Sequence, residues 1–486
     1  MSVERVLWEE DATGLAGLVQ KGELSPQELV DAAIARAEAT RPDINAIAEP
    51  LYDAARARAR TVDRTLPLAG VPFALKDLGI GLKGVPIHGG SRIPAFTADY
   101  NSVMVERHLA AGLIPIATST SPEHGLRLMT ESAAFGITRN PWNTGHTTGG
   151  SSGGAAALVA AGVVPAAHAS DGGGSIRVPS ACSGLVGLKT SRGRVPLTPL
   201  TSESWFGMVV DHAVARSVRD SALLLDLTHG PDPLSPYGAP APKGSFAAAA
   251  ARDPGKLRLA VYRKSPLGLP ISAETLRALD TAIALAREGG HTVEEIDLPY
   301  IGRDFMADFC KTVTSAVAGT IRAEALRVGR GVLGDVERAT RVLARFGDII
   351  PAGELYEILQ RLNATSRRLI AETAPYDAVL MPIIAHPPLA CGAMDPKGAD
   401  ELIENLLDKL HLTRLLRIKS FLGQLMDKSL WFTTGRRSRM SPASRRSRCR
   451  CMSPRPGDEE TLLSFAAQME KISGWQKRRA PLKVPG

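Results

Sequence analysis

The sequence predicts an α/β protein, and three observations carry that prediction. Short apolar runs alternate with segments of helical period along most of the chain. Two Gly/Ser-rich loops sit where apolar runs and helical patterns meet. No internal repeat is visible, and no Pro/Ser-rich linker cuts residues 1–430, so a single large domain over residues 1–486 is expected.

The elements follow in order. Ser25-Pro26-Gln27-Glu28 opens a helix, with Ser at the cap and Pro at the first position. Leu29, Ala32, Ala33 and Ala37 then recur at helical spacing, within N-terminal helices at about 10–60. Residues 70–78, GVPFALKDL, read as a short buried strand ending on a Lys-Asp pair. Residues 103–111 read as a helix and 113–117 as a strand. The loop GGSSGG (149–154) leads into an Ala-rich helical pattern at 155–161. A buried strand at 163–169 runs into SDGGGSIR (170–177). Residues 257–262 and 378–382 are further strands; 273–288 and much of 303–372 are helical. The expected parts are a core at about 66–230 and a helical insertion at about 300–375.

With 486 residues, 44% hydrophobic and 22% charged, the composition excludes a disordered, collagen-like or coiled-coil chain. The net charge of +8 would suggest a nucleic-acid or membrane partner. That charge is local, however. Residues 436–455 hold eight Arg and no Lys, Asp or Glu, and without them 50 basic residues face 50 acidic ones. The five cysteines show no disulfide framework, and the first three are too far apart for a zinc-type pair, which favours a reducing cytoplasm. The N-terminus is charged from Glu4 and has no apolar signal region. The longest apolar run, 155–169, is too short and too broken by Gly162, Pro165 and His168 to span a bilayer. Neither a membrane nor a nucleic acid is therefore expected as partner.

Gly-rich loops are often plain turns, because Gly adopts positive φ at little cost. Phosphate binding fits neither loop, since both lack the Gly-Lys-Ser/Thr ending and the spaced Gly-x-Gly-x-x-Gly pattern. Acyl transfer explains more. It needs a nucleophile, a base and backbone N–H donors aimed at a developing oxyanion. Three Gly before a Ser leave the backbone bare beside a hydroxyl. His88, His124, His146 or His168 could serve as the base of a His-type triad, but no carboxylate partner can be assigned to any of them from the sequence.

Lys76 in GVPFALKDL, GGSSGG at 149–154 and SDGGGSIRVPS at 170–180 together resemble the three motifs of the amidase signature family. TRNPWNTG (138–145) and CSGLVGLKTSRGRV (182–195) also resemble its pattern, and the likeness covers roughly residues 10–430, resuming at Gly457. The resemblance implies a twisted mixed sheet of about eleven strands covered by helices on both faces. It implies a Ser–cisSer–Lys triad in which Ser175 is the nucleophile, Ser151 relays its proton and Lys76 is the base. The Gly150–Ser151 peptide would be cis, and the N–H groups of Gly172, Gly173, Gly174 and Ser175 would form the oxyanion hole. Ser152 and Arg177 match supporting positions. Lys76 must be buried to act as a base near neutral pH, and the apolar run 71–75 fits that need. This chemistry needs no metal and no organic cofactor; the partner is a small-molecule amide, and the resemblance leaves a homodimer open.

Three substrate classes compete within that family: small aliphatic, aryl or peptide amides, 6-aminohexanoate cyclic dimers, and glutamine in amidotransferase A subunits that release ammonia. LWEEDATGLAGLVQKGELS, TRNPWN and AHASDGGGSIRVPS look closest to the cyclic-dimer hydrolases and their bacterial relatives. No amidotransferase partner or channel signature is visible. As a non-enzyme alternative, segment 436–455 would be a nucleic-acid-binding tail, although it has no aromatic residue for base stacking.

The family carries a GQPAxxVP-type stretch and a following core strand where this chain has RRSRMSPASRRSRCRCMSPRPGDEE. Starting each codon one base earlier lets residues 440–453 read Asn-Val-Thr-Gly-Gln-Pro-Ala-Val-Ala-Val-Pro-Leu-His-Val, given GC-rich codons. The sequence therefore points to a frameshift, with about 10–15 residues of family text missing after it, and a genuine loop is the alternative reading. The C-terminal part is expected to be disrupted at about 434–456, with a solvated Arg-rich loop in place of core strands and a catalytically impaired product.

Overall fold

The computed structural model describes residues 2–265, 267–299, 301–395, 398, 401, 402, 405, 449–453 and 455–482. Its centre is a six-stranded sheet in the order Ile47–Pro50, Ile114–Ser119, Pro72–Lys76, Ala166–Asp171, Val210–Ala215 and Val186–Gly187. The three middle strands Ile114–Ser119, Pro72–Lys76 and Ala166–Asp171 run parallel, and the flanking strands pair antiparallel. Every residue of the parallel trio is buried. That explains why these strands read as continuous apolar runs rather than alternating ones: a parallel sheet is covered on both faces.

The helices begin where the sequence signals them. Ser25 caps Pro26–Ile44 in a reciprocal capping box: its hydroxyl accepts from the Glu28 N–H and the Glu28 carboxylate accepts from the Ser25 N–H. All eight residues of Gly153–Ala160 are buried, so the Ala-rich stretch is a core helix without a polar face. Its entry depends on a close approach. A Cβ on Gly154 would lie 2.5 Å from the Thr120 backbone N, closer than any side chain could sit.

A second sheet has the order Thr292–Glu295, Arg258–Val261, Ala378–Pro382 and Cys449–Met452. The α/β architecture is thus as expected, but among the described residues the strands divide between two main sheets and several two-stranded ribbons. Three helices, Arg303–Val328, Arg338–Asp348 and Ala352–Thr373, fill most of the predicted helical stretch.

Residues 436–448 lie outside the described residues. The expectation of a solvated loop fails for Cys449–Met452, which pairs antiparallel with Ala378–Pro382 in register Leu380 with Cys451. Cys451 packs against the apolar cluster around Leu259 and Leu380, and Met452 against a second cluster around Tyr262 and Val379. Alternate residues reaching opposite clusters is the two-residue period of a strand.

The helix Glu459–Ser473 joins the two sheets. Leu463 belongs to the core of the first, and Phe465 and Met469 to that of the second. Its N-terminus is pinned by a buried pair: Arg194 Nη2 lies 3.0 Å from Glu459 Oε2, with side chains 2% and 3% exposed. The Ser191 N–H donates to the other oxygen at 2.7 Å. Breaking one partner of a buried pair leaves an uncompensated charge. Glu459→Ala is expected to destabilise the fold by about 3–5 kcal/mol in urea unfolding, and Glu459→Gln by clearly less.

Candidate functional site

The site forms at the C-terminal edge of the parallel trio, where open α/β sheets commonly bind ligands. Lys76 ends one strand, and its register partner Ser119 ends the next. Asp171 ends the third, and the loop 172–175 follows it. Helix Gly153–Ala160 brings the second loop across the same edge, with the Gly154 N–H donating to Thr120 O at 3.2 Å.

Lys76 has no exposed surface. Its Nζ is 2.7 Å from Ser151 Oγ and 2.9 Å from Ser170 Oγ. Burial pushes its pKa down to about 7, against the opposing pull of the Asp211 and Asp171 carboxylates. The Gly150–Ser151 peptide is cis. Ser152 ties the loops together: its N–H donates to Ser175 O at 3.2 Å, and its hydroxyl meets both the Ser170 N–H and the Ser170 carbonyl at 3.3 Å. Ser175 is 7% exposed and Gly173 beside it is exposed, so the site opens at this loop.

Asp171 organises the loop from below. Its carboxylate accepts from Arg177 Nε and Nη2, each at 2.8 Å, from the Gly174 N–H at 2.7 Å and from the Ile176 N–H at 3.2 Å. Burial alone would push this carboxyl up, but the Arg177 guanidinium and these donors hold it well below the usual range. Gly174 supplies a φ of 124°, which few other residues adopt. The expected four-amide hole needs correcting here: the Gly174 N–H is spent on Asp171 and cannot serve an oxyanion. Among the described residues, no hydrogen bond occupies the N–H groups of Gly172, Gly173 and Ser175. Arg177 and Ser152 both hydrogen-bond to these loops.

The nitrogen that meets Ser151 Oγ is that of Lys76, not of any of the four histidines considered as bases. His88 faces Glu49 at 3.8 Å, and His168 is fully buried behind Lys76. Several neighbours escaped sequence reasoning. Ser170 and Asp171 stood inside a recognised motif without an assigned role, so the motif text was their available signal. Lys189 lies close to Asp171, and burial lowers its pKa to about 8. Trp205 and Phe309 left no signal. A Cβ on Gly172 would sit 2.9 Å from Trp205 Cε3, and one on Gly173 3.3 Å from Phe309 Cζ. Among the described residues, no group of three or more His, Cys, Asp or Glu gathers as around a metal, and no helix is long and apolar enough to cross a membrane.

The fold and this arrangement of lysine and serines place the molecule in the class of amidase signature enzymes. The chain belongs to the Amidase family, whose sequence model matches residues 28–418. It is 32% identical over 495 aligned residues to the 6-aminohexanoate-cyclic-dimer hydrolase of Pseudomonas sp. (strain NK87), covering 99% of this chain and 98% of that one. The solved structure of a 6-aminohexanoate cyclic dimer hydrolase complexed with substrate superposes with a TM-score of 0.86 at 30% identity, covering 98% and 99% of the two chains. A bacterial aryl acylamidase shares the fold, with a TM-score of 0.83, 24% identity and coverage of 99% and 100%. The protein is therefore an amidohydrolase.

The buried lysine has a thermodynamic signature. Its pKa is about 7 in the fold and ~10.4 in the unfolded chain, so between those values the unfolded state binds more protons. Stability then rises with pH in that window. The unfolding free energy of the wild type minus that of Lys76→Met should climb by roughly 1 kcal/mol per pH unit between pH 7 and 9, measured in urea. A flat difference would mean that Lys76 titrates normally.

Proposed function

We propose that the chain hydrolyses amides through an acyl-enzyme on Ser175, with Ser151 as proton relay and Lys76 as base. The observation that carries this reading is the 2.7 Å contact between the buried Lys76 Nζ and Ser151 Oγ. A neutral Lys76 accepts the Ser151 proton across that contact while Ser151 takes the proton of Ser175. Ser175 Oγ attacks the amide carbon, and the N–H groups of Gly172, Gly173 and Ser175 receive the developing oxyanion. The proton returns through Ser151 to the leaving nitrogen. Water then cleaves the ester by the same relay and regenerates Ser175.

A cyclic amide of the 6-aminohexanoate dimer type is the first substrate to test, because the relatives of that name align along almost the whole chain. Purified protein should be assayed against the cyclic dimer, small aryl amides and glutamine. Turnover of the dimer with none of glutamine is the expected result; ammonia release from glutamine alone would overturn it. Ser175→Ala should lower kcat at least about 10³-fold with little change in binding. The log of kcat/KM should rise with unit slope below pH 7 and level off above it, following deprotonation of Lys76.

The Arg-rich text at 436–448 is best explained, in this reading, by a frameshift in the gene. Resequencing codons 430–457 tests it directly. An unbroken frame encoding these Arg residues in a fully active protein would refute it.

A further inference from the structure

Behind the proposed base lies a polar pair that the reaction scheme leaves unused. His168 and Ser170 stand two apart on the Ala166–Asp171 strand and so share a face, and Asp211 is the register partner of Ser170 on Val210–Ala215. The Lys76 backbone N–H donates to His168 Nδ1 at 3.2 Å. A nitrogen that accepts cannot carry a proton, so this contact fixes the neutral tautomer with hydrogen on Nε2. That Nε2 faces Asp211 Oδ1 at 3.7 Å, in a region where both side chains are nearly or fully buried. The Ser170 hydroxyl on the same face is the second partner of Lys76 Nζ.

We propose that His168 and Asp211 are positioning residues for Lys76, His168 by gripping its backbone and Asp211 by setting the charge around its side chain. This inference rests on the reading of Lys76 as base. The other charged and titratable groups around Lys76 do not supply the same control. Asp171 is matched by Arg177 at 2.8 Å, with Lys189 beside it. His212, on the same strand as Asp211, is driven by burial down to about 4, and His108 well below its ordinary value, so both stay neutral at working pH. Asp77, next in sequence to Lys76, is raised by burial to about 6 and accepts from the His88 N–H at 2.9 Å. Of the two carboxylates that favour a charged Lys76, Asp211 is the one without a matching guanidinium among the described residues.

The test uses the rate at which a fluorophosphonate probe labels Ser175 as a function of pH, which needs the base but not the natural substrate. Asp211→Asn removes a charge that favours the protonated lysine, so the acid limb should move to lower pH by roughly one unit. Asp211→Glu should keep the wild-type limb, and Asp211→Ser carries the same expectation as Asn if Asn is not tolerated. His168→Leu should lower the plateau rate about tenfold by leaving the Lys76 N–H unpaired, and His168→Asn, which restores an acceptor, should recover it. Asp77→Asn should leave the limb in place. An unmoved limb in Asp211→Asn and Asp211→Ser overturns the proposal, as does a limb that follows Asp77. A wild type that is not labelled at Ser175 at any pH instead overturns the triad reading beneath it.

Discussion

An ammonium group removed from water must either be paired or lose its proton, and the catalytic half of this molecule is arranged around that constraint at Lys76. The side chain ends a strand buried on both faces and has no exposed surface. A free lysine charge there would cost several kcal/mol, so burial drives the amine toward neutrality. Two hydroxyls, Ser151 and Ser170, meet the amine at 2.7 and 2.9 Å, so it is hydrogen-bonded in either protonation state. The constraint that makes the lysine charge expensive is also what brings its pKa down to about 7.

The same economy of charge shapes the neighbouring loop. Asp171 is as buried as Lys76, but its neutralisation takes the opposite route: it stays ionised because Arg177 grips it with two nitrogens. Once ionised, it gathers the N–H groups of Gly174 and Ile176 and folds the chain tightly over itself. That fold turns the amides of Gly172, Gly173 and Ser175 away from internal partners. One carboxylate therefore decides which amides of this loop are taken up internally.

Much of this was legible in the sequence. The strand 72–76, the core helix 153–160 and the capped helix from Pro26 announce themselves by burial pattern, Ala content and a Ser-Pro-x-Glu start. Lys76, Ser151 and Ser175 were legible only as a set, through motif spacing; singly, each would pass for an ordinary loop or surface residue. Register was not legible. His168 read as one loose histidine among four, and Asp211 lies more than forty positions downstream, meeting it through antiparallel pairing that no local pattern encodes. The use of the Gly174 amide was hidden for a similar reason, since it depends on a side chain three residues back turning under the loop. The strand Cys449–Met452 escaped because its Arg-rich surroundings read as solvated, whereas pairing at a sheet edge runs through backbone groups that residue type does not reveal.

The division of labour between sheet and helices explains why the reaction is easier to read than the substrate. Every group assigned to the chemistry comes from strand ends or the loops and helix starts beside them, all parts of one packed core. What faces the open side of the loop 172–175 comes from elsewhere. Trp205 packs on Gly172 from the loop before Val210–Ala215, and Phe309 reaches Gly173 from the long helix Arg303–Val328. Trp205 and Phe206 hold positive φ values of 49° and 55°, a costly conformation for bulky residues that the surrounding packing must sustain. Phe309 sits on a helix that contributes none of Lys76, Ser151 or Asp171. The residues beside Gly172 and Gly173 thus come from outside the motif text, and motif text from the core carries little information about which amide enters.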